Sequence, residues 1–343
     1  MSGTSHDGLD IAYCIFRLKA GRWHYNIRHA VTIPYPASWK ERLLSLPGKD
    51  EASIHDADLL LGEFIGEKTA AFIREYQLLP SFVSSHGHTI FHEPQKGITL
   101  QIGDGRRIAD ITGLTTICDF RSSDVAMGGQ GAPLVPIGDR LLFADHDFCL
   151  NIGGIANISF EKGSDRIAFD ICPANMVLNF MAGKLGKTYD DRGLNAATGK
   201  LIFPLLKQLE SLPFYSQTGP RSLGREWVEQ NIFPLLENYS DHPAKDILNT
   251  FTEHIARRIS AVCGNDRNKT ILVTGGGAYN DYLISRLTAL SSPAVILPDP
   301  LIIEFKEALV FALLGLLRLR EEVNVLGSVT GSGKDHCAGT VYG

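Results

Sequence analysis

The sequence predicts an α/β protein with room for two domains or one large one, and three observations predict this class. Near the middle of the chain, apolar runs of strand length are joined by two tight turns, Gly153-Gly154 and Gly163-Ser164. Further on, the apolar strand 269–274 runs through three glycines into a helix predicted over 281–290. At 343 residues, the chain can also bury a sizeable core.

Apolar residues recur at helical or strand spacing in other segments. Strands are predicted over 11–18, over 82–85, and over 99–104 and 115–120 on either side of a short helix. The longest apolar run is interpreted as a buried helix that Glu307 opens and that ends near Arg320. Four further helices are predicted over 57–76, 201–212, 222–236 and 246–262.

The composition is that of an ordinary globular protein, with 44% hydrophobic and 21% charged residues and a net charge of -5. No basic stripe suggests nucleic acid. The apolar run 308–317 is too short to span a bilayer, and the first residues lack the basic-then-apolar pattern of a signal peptide. Six scattered cysteines form no C-x-x-C pair, which fits a reducing cytoplasm better than a zinc site or a disulfide framework.

The central hairpins carry the first candidate for chemistry. The returning strand 167–169 leads to Asp170, and Pro173 can occupy the first turn of a following helix. A carboxylate at such a junction can act as a base, and the Gly153-Gly154 turn lets a phosphate approach its backbone N–H groups. Taken alone, these residues favour a plainer interpretation, in which the glycines only make a hairpin and Asp170 caps the helix.

A second candidate is the small, hydroxyl-rich segment 3–10 before the first strand. The hydroxyls of Thr4 and Ser5 can donate to phosphate oxygens, and Asp7 or Asp10 could hold a hydrated Mg²⁺. An ordinary polar turn explains the segment equally well. Asp7-Gly8 favours a hairpin turn, but no strand precedes it, so we expect the partner strand to lie outside this sequence.

Histidine and arginine side chains give weaker signals. Three histidines, His86, His88 and His92, follow the strand at 82–85, but no cysteine or carboxylate cluster completes a zinc site, so polar loop or substrate contacts are expected. Arg121 opens the polar, glycine-rich stretch 121–133, which is interpreted as the crossing between domains. Its planar donor fork suits a carboxylate or phosphate, although solvated arginines are commoner.

Three glycine-rich turns, each tied to a strand, therefore stand in order at 3–10, 153–154 and 275–277. This order is similar to the first phosphate loop, second phosphate loop and adenosine loop of the actin-like ATPase and sugar kinase superfamily. Longer segments over essentially the whole chain resemble the anhydro-N-acetylmuramic acid kinases. These segments are 1–10, 85–94, 101–105, 119–121, 128–136, 151–157, 274–278, 306–308 and 328–331.

The resemblance implies a two-domain actin-like ATPase (ribonuclease H-like) fold, with doubled βββαβα units and mixed sheets. The first domain would comprise 1–122 and the returning tail 335–343, and the second would comprise 123–334 and carry Asp170 and the adenosine loop. A cytoplasmic homodimer is also implied, acting on a small amino sugar without nucleic acid or membrane partners.

The implied reaction uses ATP, Mg²⁺ and water to open the 1,6-anhydro ring of anhydro-N-acetylmuramic acid and phosphorylate O6, in peptidoglycan recycling. Asp170 would be the catalytic base, and Asp10 would hold Mg²⁺ through water. Arg121, Asn175 and Glu307 would contact the sugar. The implied ATP- and phosphate-binding residues are Gly3, Thr4, Ser5, His6, Asp7, Gly8, Leu9, Asp10, Gly153, Gly154, Gly275, Gly276 and Gly277.

Two alternatives stay open at this point. One is a non-catalytic actin-like clamp that binds ATP and reports its state to a partner, and the other is a kinase for a different sugar, because a fold does not fix a substrate. Cys172 and Ala174 stand where the family usually has glycine, so their side chains are expected to narrow the sugar pocket.

Overall fold

The computed structural model describes residues 1–2, 8–217 and 219–343, and strands and helices alternate through this part of the chain. None of the helices in these ranges is both long enough and apolar enough to cross a membrane. The strands are β1 Gly8–Lys19, β2 Arg22–Pro34, β3 Val83–Ser84, β4 His88–Glu93, β5 Ile98–Ile102, β6 Thr116–Cys118, β7 Phe148–Ile152, β8 Ile155–Lys162, β9 Asp165–Pro173, β10 Thr270–Thr274, β11 Ala294–Ile296 and β12 Thr340–Tyr342.

Most of the helices are short, and three of them run for twenty residues or more. The α-helices are α1 Ala37–Ser45, α2 Glu51–Glu75, α3 Gly105–Thr112, α4 Ser122–Ala126, α5 Pro136–Leu142, α6 Asn175–Gly183, α7 Leu194–Ala197, α8 Phe203–Glu210, α9 Arg225–Asn231, α10 Phe233–Glu237, α11 Ala244–Cys263, α12 Asp281–Leu290, α13 Pro300–Leu319 and α14 Gly327–Thr330. Short 3₁₀ turns lie at Leu46–Gly48, Pro94–Lys96, Asp191–Gly193, Pro213–Ser216 and Gly276–Tyr279.

The chain forms two compact units, unit 1 from Met1–Leu142 and Phe305–Gly343, and unit 2 from Phe143–Glu304. The domain boundary predicted at residue 122 lies earlier than the observed first crossing, and the boundary predicted at residue 334 lies later than the second. The glycine-rich stretch lies inside unit 1 because the buried Asp124 accepts bonds from Gly131 N–H and from Thr330 Oγ1, both at 2.7 Å. Two α/β units with mixed strand directions confirm the predicted fold class.

Unit 2 is built on a five-stranded mixed sheet in the order β9-β8-β7-β10-β11. The first three strands form an antiparallel meander, and β10 and β11 run parallel to β7. Numbered by position along the unit, the order is 3-2-1-4-5 with only the second strand reversed, which is the ribonuclease H-like arrangement that the resemblance implies. The glycine turns that follow β7 and β10 therefore lie at the same edge of the sheet.

The core of unit 2 lies on one face of this sheet. Leu150, Ile152 and Ile158 point to that face, where Phe251 and Ile255 of α11 pack in the same buried cluster. All of these side chains are at most 1% exposed, so the strands of the meander are fixed in register by burial. The opposite face of the same strands carries the polar residues described below.

Unit 1 holds three smaller sheets among its described residues. The long hairpin β1-β2 is one, β12-β6-β3 is the second, and β4-β5 is the third. Two separate hydrophobic clusters pack around them: one contains Leu9, Ile65 and Ile102, and the other contains Phe311, Ile117 and neighbouring residues of α13. The strand predicted over 11–18 is confirmed and is part of β1, which begins three residues earlier and ends one residue later.

Several predicted helix boundaries differ from the structure, and three of them differ for a clear local reason. The helix after Asp170 begins at Asn175, because β9 continues through Pro173. The predicted helix 222–236 is two helices, since Pro234 has no N–H to donate within a continuous helix. Glu307 does not open its helix: α13 begins at Pro300 and is kinked at Phe305, so Glu307 follows the kink.

Candidate active site

Asp170 lies near the end of β9, at a β-bulge that changes the direction of its neighbours. Asn157 of β8 pairs with Asp170, and its neighbour Ala156 pairs with Cys172. Ile171 therefore has no partner residue on β8 and is the extra residue of the bulge. Such bulges are common beside active sites, where they redirect a side chain. Ile171 and Cys172 are both fully buried, whereas Asp170 is only half-buried on the other face.

The Asp170 carboxylate is held from one side by the segment 221–223. Its Oδ2 accepts the Leu223 N–H at 2.7 Å and lies 3.4 Å from the Ser222 hydroxyl. The backbone N–H of Asp170 donates to the Arg221 carbonyl at 2.9 Å. Burial raises the pKa of the carboxyl group, and the bonds from Leu223 and Ser222 only partly oppose it. Among the described residues, Oδ1 has no hydrogen-bond partner, so it is free to accept a proton.

A row of polar residues extends from Asp170 across the sheet. Asp170 pairs with Asn157, Asn157 with Asn151, and Asn151 with Thr274 of β10. Residues directly opposite each other share a face, with Cβ atoms about 4.5–5.5 Å apart in antiparallel pairs. The half-buried amide of Asn157 makes no hydrogen bond within the described residues, so it is available beside the carboxylate.

Asn157 and Asn151 were not among the residues predicted from the sequence to form the site. Their alternation with the buried residues of the meander indicates only that both lie on the face opposite the core. That this face also carries Asp170 follows from the strand register, which no local pattern gives.

The Gly153-Gly154 turn joins β7 to β8 and contacts the first residues of the helix α6. The carbonyls of Gly153 and Gly154 accept the N–H groups of Asn175 at 3.1 Å and Ala174 at 2.8 Å. The amide of Asn175 also donates to the Ile152 carbonyl at 3.2 Å, which fixes the turn from a third direction. The N–H groups of the two glycines donate to no acceptor in the described parts of the chain, so they can face an anion.

The glycines after β10 are required by close packing against β7. A Cβ atom on Gly275 would stand 2.6 Å from Asn151 Oδ1, and Gly275 also has a φ of +81°. A Cβ atom on Gly277 would stand 2.6 Å from the Ile152 Cβ. The structure thus brings together both glycine turns of unit 2, and Asn175 lies beside them.

A buried network supports the segment that holds Asp170. His254 donates from Nδ1 to Glu210 at 2.5 Å and accepts the Tyr215 hydroxyl at Nε2 at 2.9 Å. Arg258 donates to the second Glu210 oxygen at 3.0 Å. Burial alone would raise the pKa of Glu210, but the bonds from His254 and Arg258 outweigh it and hold the pKa below its usual value. The Arg221 guanidinium then stacks 4.9 Å from the Phe214 ring centre.

Unit 1 carries the remaining predicted residues. Residues 3–7, which include Gly3, Thr4, Ser5, His6 and Asp7, lie outside the described residues. Gly8 approaches the Ile33 carbonyl too closely for any side chain, and Leu9 is buried in the core. One oxygen of Asp10 accepts the Thr32 hydroxyl at 2.6 Å. Its other oxygen has no hydrogen-bond partner among the described residues.

Arg121 and Glu307, the two predicted sugar contacts of unit 1, interact electrostatically with each other. His86 accepts from Arg121 Nε at 3.1 Å through its Nε2 atom, and Gly131 accepts from Arg121 Nη1 at 2.6 Å. Burial lowers the pKa of Arg121 to about 10, and the negative charge of Glu307 opposes that shift. Burial of the carboxyl group raises the pKa of Glu307, and the positive charge of Arg121 opposes that shift. The two groups therefore share one electrostatic environment.

Cys172 and Ala174 do not project into open space. Both side chains are fully buried in the core of unit 2. Their expected effect on a sugar pocket would have to be transmitted through the backbone of β9 and α6, because neither side chain reaches solvent.

The ribonuclease H-like strand order, with free glycine N–H groups beside a half-buried carboxylate, is typical of the actin-like ATPase and sugar kinase superfamily, whose members bind nucleotides. The family model described as anhydro-N-acetylmuramic acid kinase matches residues 1–343. The chain belongs to this kinase family.

Curated relatives match the whole of this chain and nearly all of their own lengths. The anhydro-N-acetylmuramic acid kinase of Coxiella burnetii is 35% identical over 363 residues, covering 100% of this chain and 96% of the relative. That of Nitrosospira multiformis is 35% identical over 364 residues, covering 100% and 97%. A solved structure, the activator of 2-hydroxyisocaproyl-CoA dehydratase from Clostridium difficile with bound ADPNP, is 16% identical over 62% of this chain and 82% of its own, with a TM-score of 0.35, which is too low to support a conclusion.

Proposed function

We propose that this kinase opens the 1,6-anhydro ring of 1,6-anhydro-N-acetylmuramic acid with water and phosphorylates O6, giving N-acetylmuramic acid 6-phosphate and ADP. Family membership over the whole chain supports the substrate class. The observation that supports the hydrolytic half is the Asp170 carboxylate, whose Oδ2 is held by the Leu223 N–H while Oδ1 stays unpaired within the described residues.

Asp170 acts as the general base in this proposal. Water is a weak nucleophile at an anomeric carbon, and a positioned base contributes typically 10²–10⁴-fold in rate. Oδ1 takes a proton from the water while the water oxygen bonds to C1. The C1–O6 bond breaks and its electron pair stays on O6. O6 then bonds to the γ-phosphorus of ATP, and ADP leaves.

Asn157 positions the water in the same proposal. Its amide lies beside Asp170 on the adjacent strand, where it can donate to or accept from a water that Asp170 also binds. The bulge at Ile171 keeps Asp170 on this face while the next two residues fill the core. The pair would therefore hold one water from two sides.

The phosphates of ATP are assigned to the glycine turns. The free N–H groups of Gly153 and Gly154 suit an anion, and Gly275, Gly276 and Gly277 let the backbone come close to a flat ligand. In unit 1 the proposal assigns Gly3 to Asp10 to phosphate contacts. Phosphoryl transfer depends on such positioning and charge stabilisation more than on covalent chemistry.

Mg²⁺ is assigned to Asp10 through a water molecule. The fit rests on the Asp10 carboxylate, since one oxygen is fixed by Thr32 and the other remains for a metal-bound water. When bound with ATP, the ion would neutralise phosphate charge. Arg121 and Glu307 are assigned to the sugar, because the half-buried guanidinium has N–H groups left beyond those bound by His86 and Gly131.

The test compares sugars at saturating ATP and Mg²⁺, with product analysis by mass spectrometry. The proposal predicts a sugar phosphate from anhydro-N-acetylmuramic acid and far less from N-acetylmuramic acid, which lacks the bridge. Equal phosphorylation of both would contradict the ring-opening step. ATP binding without turnover of either sugar would point to a clamp, and turnover of an unrelated sugar alone would point to another kinase specificity.

The proposal also includes a cytoplasmic homodimer without nucleic acid partners. Its support is the resemblance described above. Sedimentation equilibrium of the purified protein and fractionation of expressing cells would check the two statements separately.

A further inference from the structure

Arg221 lies beside the proposed base Asp170 and has no part in the reaction described above. Its carbonyl oxygen accepts the Asp170 N–H at 2.9 Å, and its Nε donates back to the Asp170 carbonyl at 3.2 Å. The next two residues of the chain, Ser222 and Leu223, hold Oδ2 of the same carboxylate. The segment 221–223 therefore fixes both the backbone and the side chain of Asp170.

Two aromatic rings contact the Arg221 guanidinium. Its central carbon lies 5.3 Å from the Phe169 ring centre and 4.9 Å from the Phe214 ring centre. Nη1 also donates to the Gln217 carbonyl at 2.9 Å. Cations within about 6 Å of a ring centre are attracted to the ring, and arginine makes such contacts more often than lysine. The charge of Arg221 is therefore held in place, although its side chain is only half-buried.

The ring of Phe214 is attached to the buried core of unit 2. Phe214 is itself 4% exposed, and its ring meets that of Tyr215 edge-on at 5.5 Å. The Tyr215 hydroxyl donates to the buried His254 at 2.9 Å, and the Tyr215 ring packs 4.2 Å from the Arg258 guanidinium. The position of Arg221 is thus set by the core and not by the surface loop alone.

Arg221 also acts on Asp170 through its charge. Burial raises the pKa of Asp170, and the positive charge of Arg221 is one of the influences that oppose this shift. The other titratable or charged groups around this pair are Tyr215, Cys172, Glu210, His254 and Arg258.

These surrounding groups leave Arg221 as the positive charge next to the carboxylate. Burial raises the pKa of Tyr215 and of Cys172 and lowers the pKa of His254, so all three are neutral at neutral pH. Glu210 and Arg258 form an ion pair with each other at 3.0 Å. Within the described chain, Arg221 forms no ion pair with another carboxylate.

We propose that Arg221 is a positioning residue for the general base, an inference that rests on the function proposed above. It orients the Asp170 carboxylate through the segment 221–223, and its charge keeps that carboxylate in the form that accepts a proton from water. In this proposal Arg221 itself contacts neither the water nor the sugar.

The test measures kcat and kcat/KM for the sugar against pH in Arg221→Gln and Arg221→Met, which remove the charge, and in Arg221→Lys, which keeps it. Methionine can still pack against the two rings, so folding does not depend on the glutamine variant alone. The matched control is Arg225→Gln, an exposed arginine four residues further on, whose ion-pair partner Glu229 lies in its own helix. Thermal melts and ATP titrations check the folding and the nucleotide site of every variant.

Both neutral variants should move the acid limb of kcat/KM upward by about 0.5–1 pH unit, because the carboxylate loses its positive neighbour. Their kcat on the high-pH plateau should fall about tenfold to a hundredfold, since the base is less well placed. Arg221→Lys should return the acid limb to its wild-type position, with an intermediate kcat because an ammonium group lacks the arginine fork. Arg225→Gln should leave the whole profile unchanged.

An acid limb that keeps its wild-type position in both neutral variants would overturn the proposal. So would a higher KM for the sugar with an unchanged kcat, which would make Arg221 a sugar contact instead. In an Asp170→Asn background, Arg221→Gln should cause no further loss of kcat, and a further loss of the same factor would overturn the positioning role alone. An Asp170→Asn variant with wild-type kcat would contradict the proposed function and, with it, the role of Arg221.

Discussion

Replacing Asp170 by asparagine removes the negative charge while keeping the shape of the side chain. The Leu223 N–H, which donates to Asp170 Oδ2 at 2.7 Å, can donate to the asparagine carbonyl oxygen instead. The backbone bond from the Asp170 N–H to Arg221 is unaffected by the change. We therefore expect Asp170→Asn to fold normally and to lose its ability to take a proton from water.

The size of the loss follows from the role assigned to the carboxylate. A positioned general base contributes about 10²–10⁴-fold, and at about 1.4 kcal/mol per tenfold this is about 3–5 kcal/mol of transition-state stabilisation. We expect kcat to fall by that factor while ATP affinity changes little. The matched control is Asp165→Asn, an exposed carboxylate at the start of the same strand, which should keep wild-type activity.

Stability should move in the opposite direction from activity. Because burial raises the pKa of folded Asp170, its neutral form is favoured by folding, and this contribution is lost as pH rises through the folded pKa. At neutral pH, Asp170→Asn should therefore unfold at the same temperature as wild type or slightly higher. The acid limb of kcat/KM in wild type should lie above the usual aspartate pKa of about 3.9.

The assay is ADP release at saturating ATP and sugar, with thermal melts and ATP titrations on the same preparations. An Asp170→Asn variant with more than a tenth of wild-type kcat would refute the assignment of Asp170 as the base. A variant that fails to bind ATP would show instead that Asp170 supports the nucleotide site.

Three further predictions concern neighbouring features. Asn157→Ala should lower kcat about tenfold to a hundredfold with an unchanged KM for ATP, because one water contact is lost, and unchanged initial rates would argue against its role. Gly277→Ala should cost about 1–3 kcal/mol in unfolding free energy because its Cβ has no space, whereas Gly183→Ala, with open space around it, should cost nothing in the same denaturant titration. Glu210→Gln should destabilise the protein at pH 7 by about 1–3 kcal/mol through loss of charged hydrogen bonds. Since the pKa of folded Glu210 is depressed, the gap from wild type should close as pH falls below about 4, and a gap independent of pH in thermal melts would contradict this.

The sequence predicted the elements whose signals are local. The strand 269–274, its three glycines and the helix at 281–290 appear almost as predicted, because an apolar run, a glycine turn and an N-cap at Asn280 all agree. β2 was missed although its first half, Arg22 to Ile27, alternates exposed polar residues with more buried apolar ones, a pattern that predicts a strand. The role of Pro234 in splitting one predicted helix was visible in the sequence and was overlooked.

The candidate site was predictable only in part. Asp170 and the glycine turns have short-range signatures or match a family motif, and their mutual placement follows from the strand order of unit 2. Asn157 could not be identified from local patterns, because its position beside Asp170 depends on the register between β8 and β9 and on the bulge at Ile171. Tertiary pairing fixes both features, and no short segment encodes them.

The most direct test of the proposed reaction is to run it in water enriched in the heavy oxygen isotope and locate that oxygen in the sugar product by mass spectrometry. The account predicts a 6-phosphorylated sugar with one heavy oxygen at the anomeric carbon and none in its phosphate group. A phosphorylated sugar without heavy oxygen at the anomeric carbon, or heavy oxygen found only in inorganic phosphate, would contradict it.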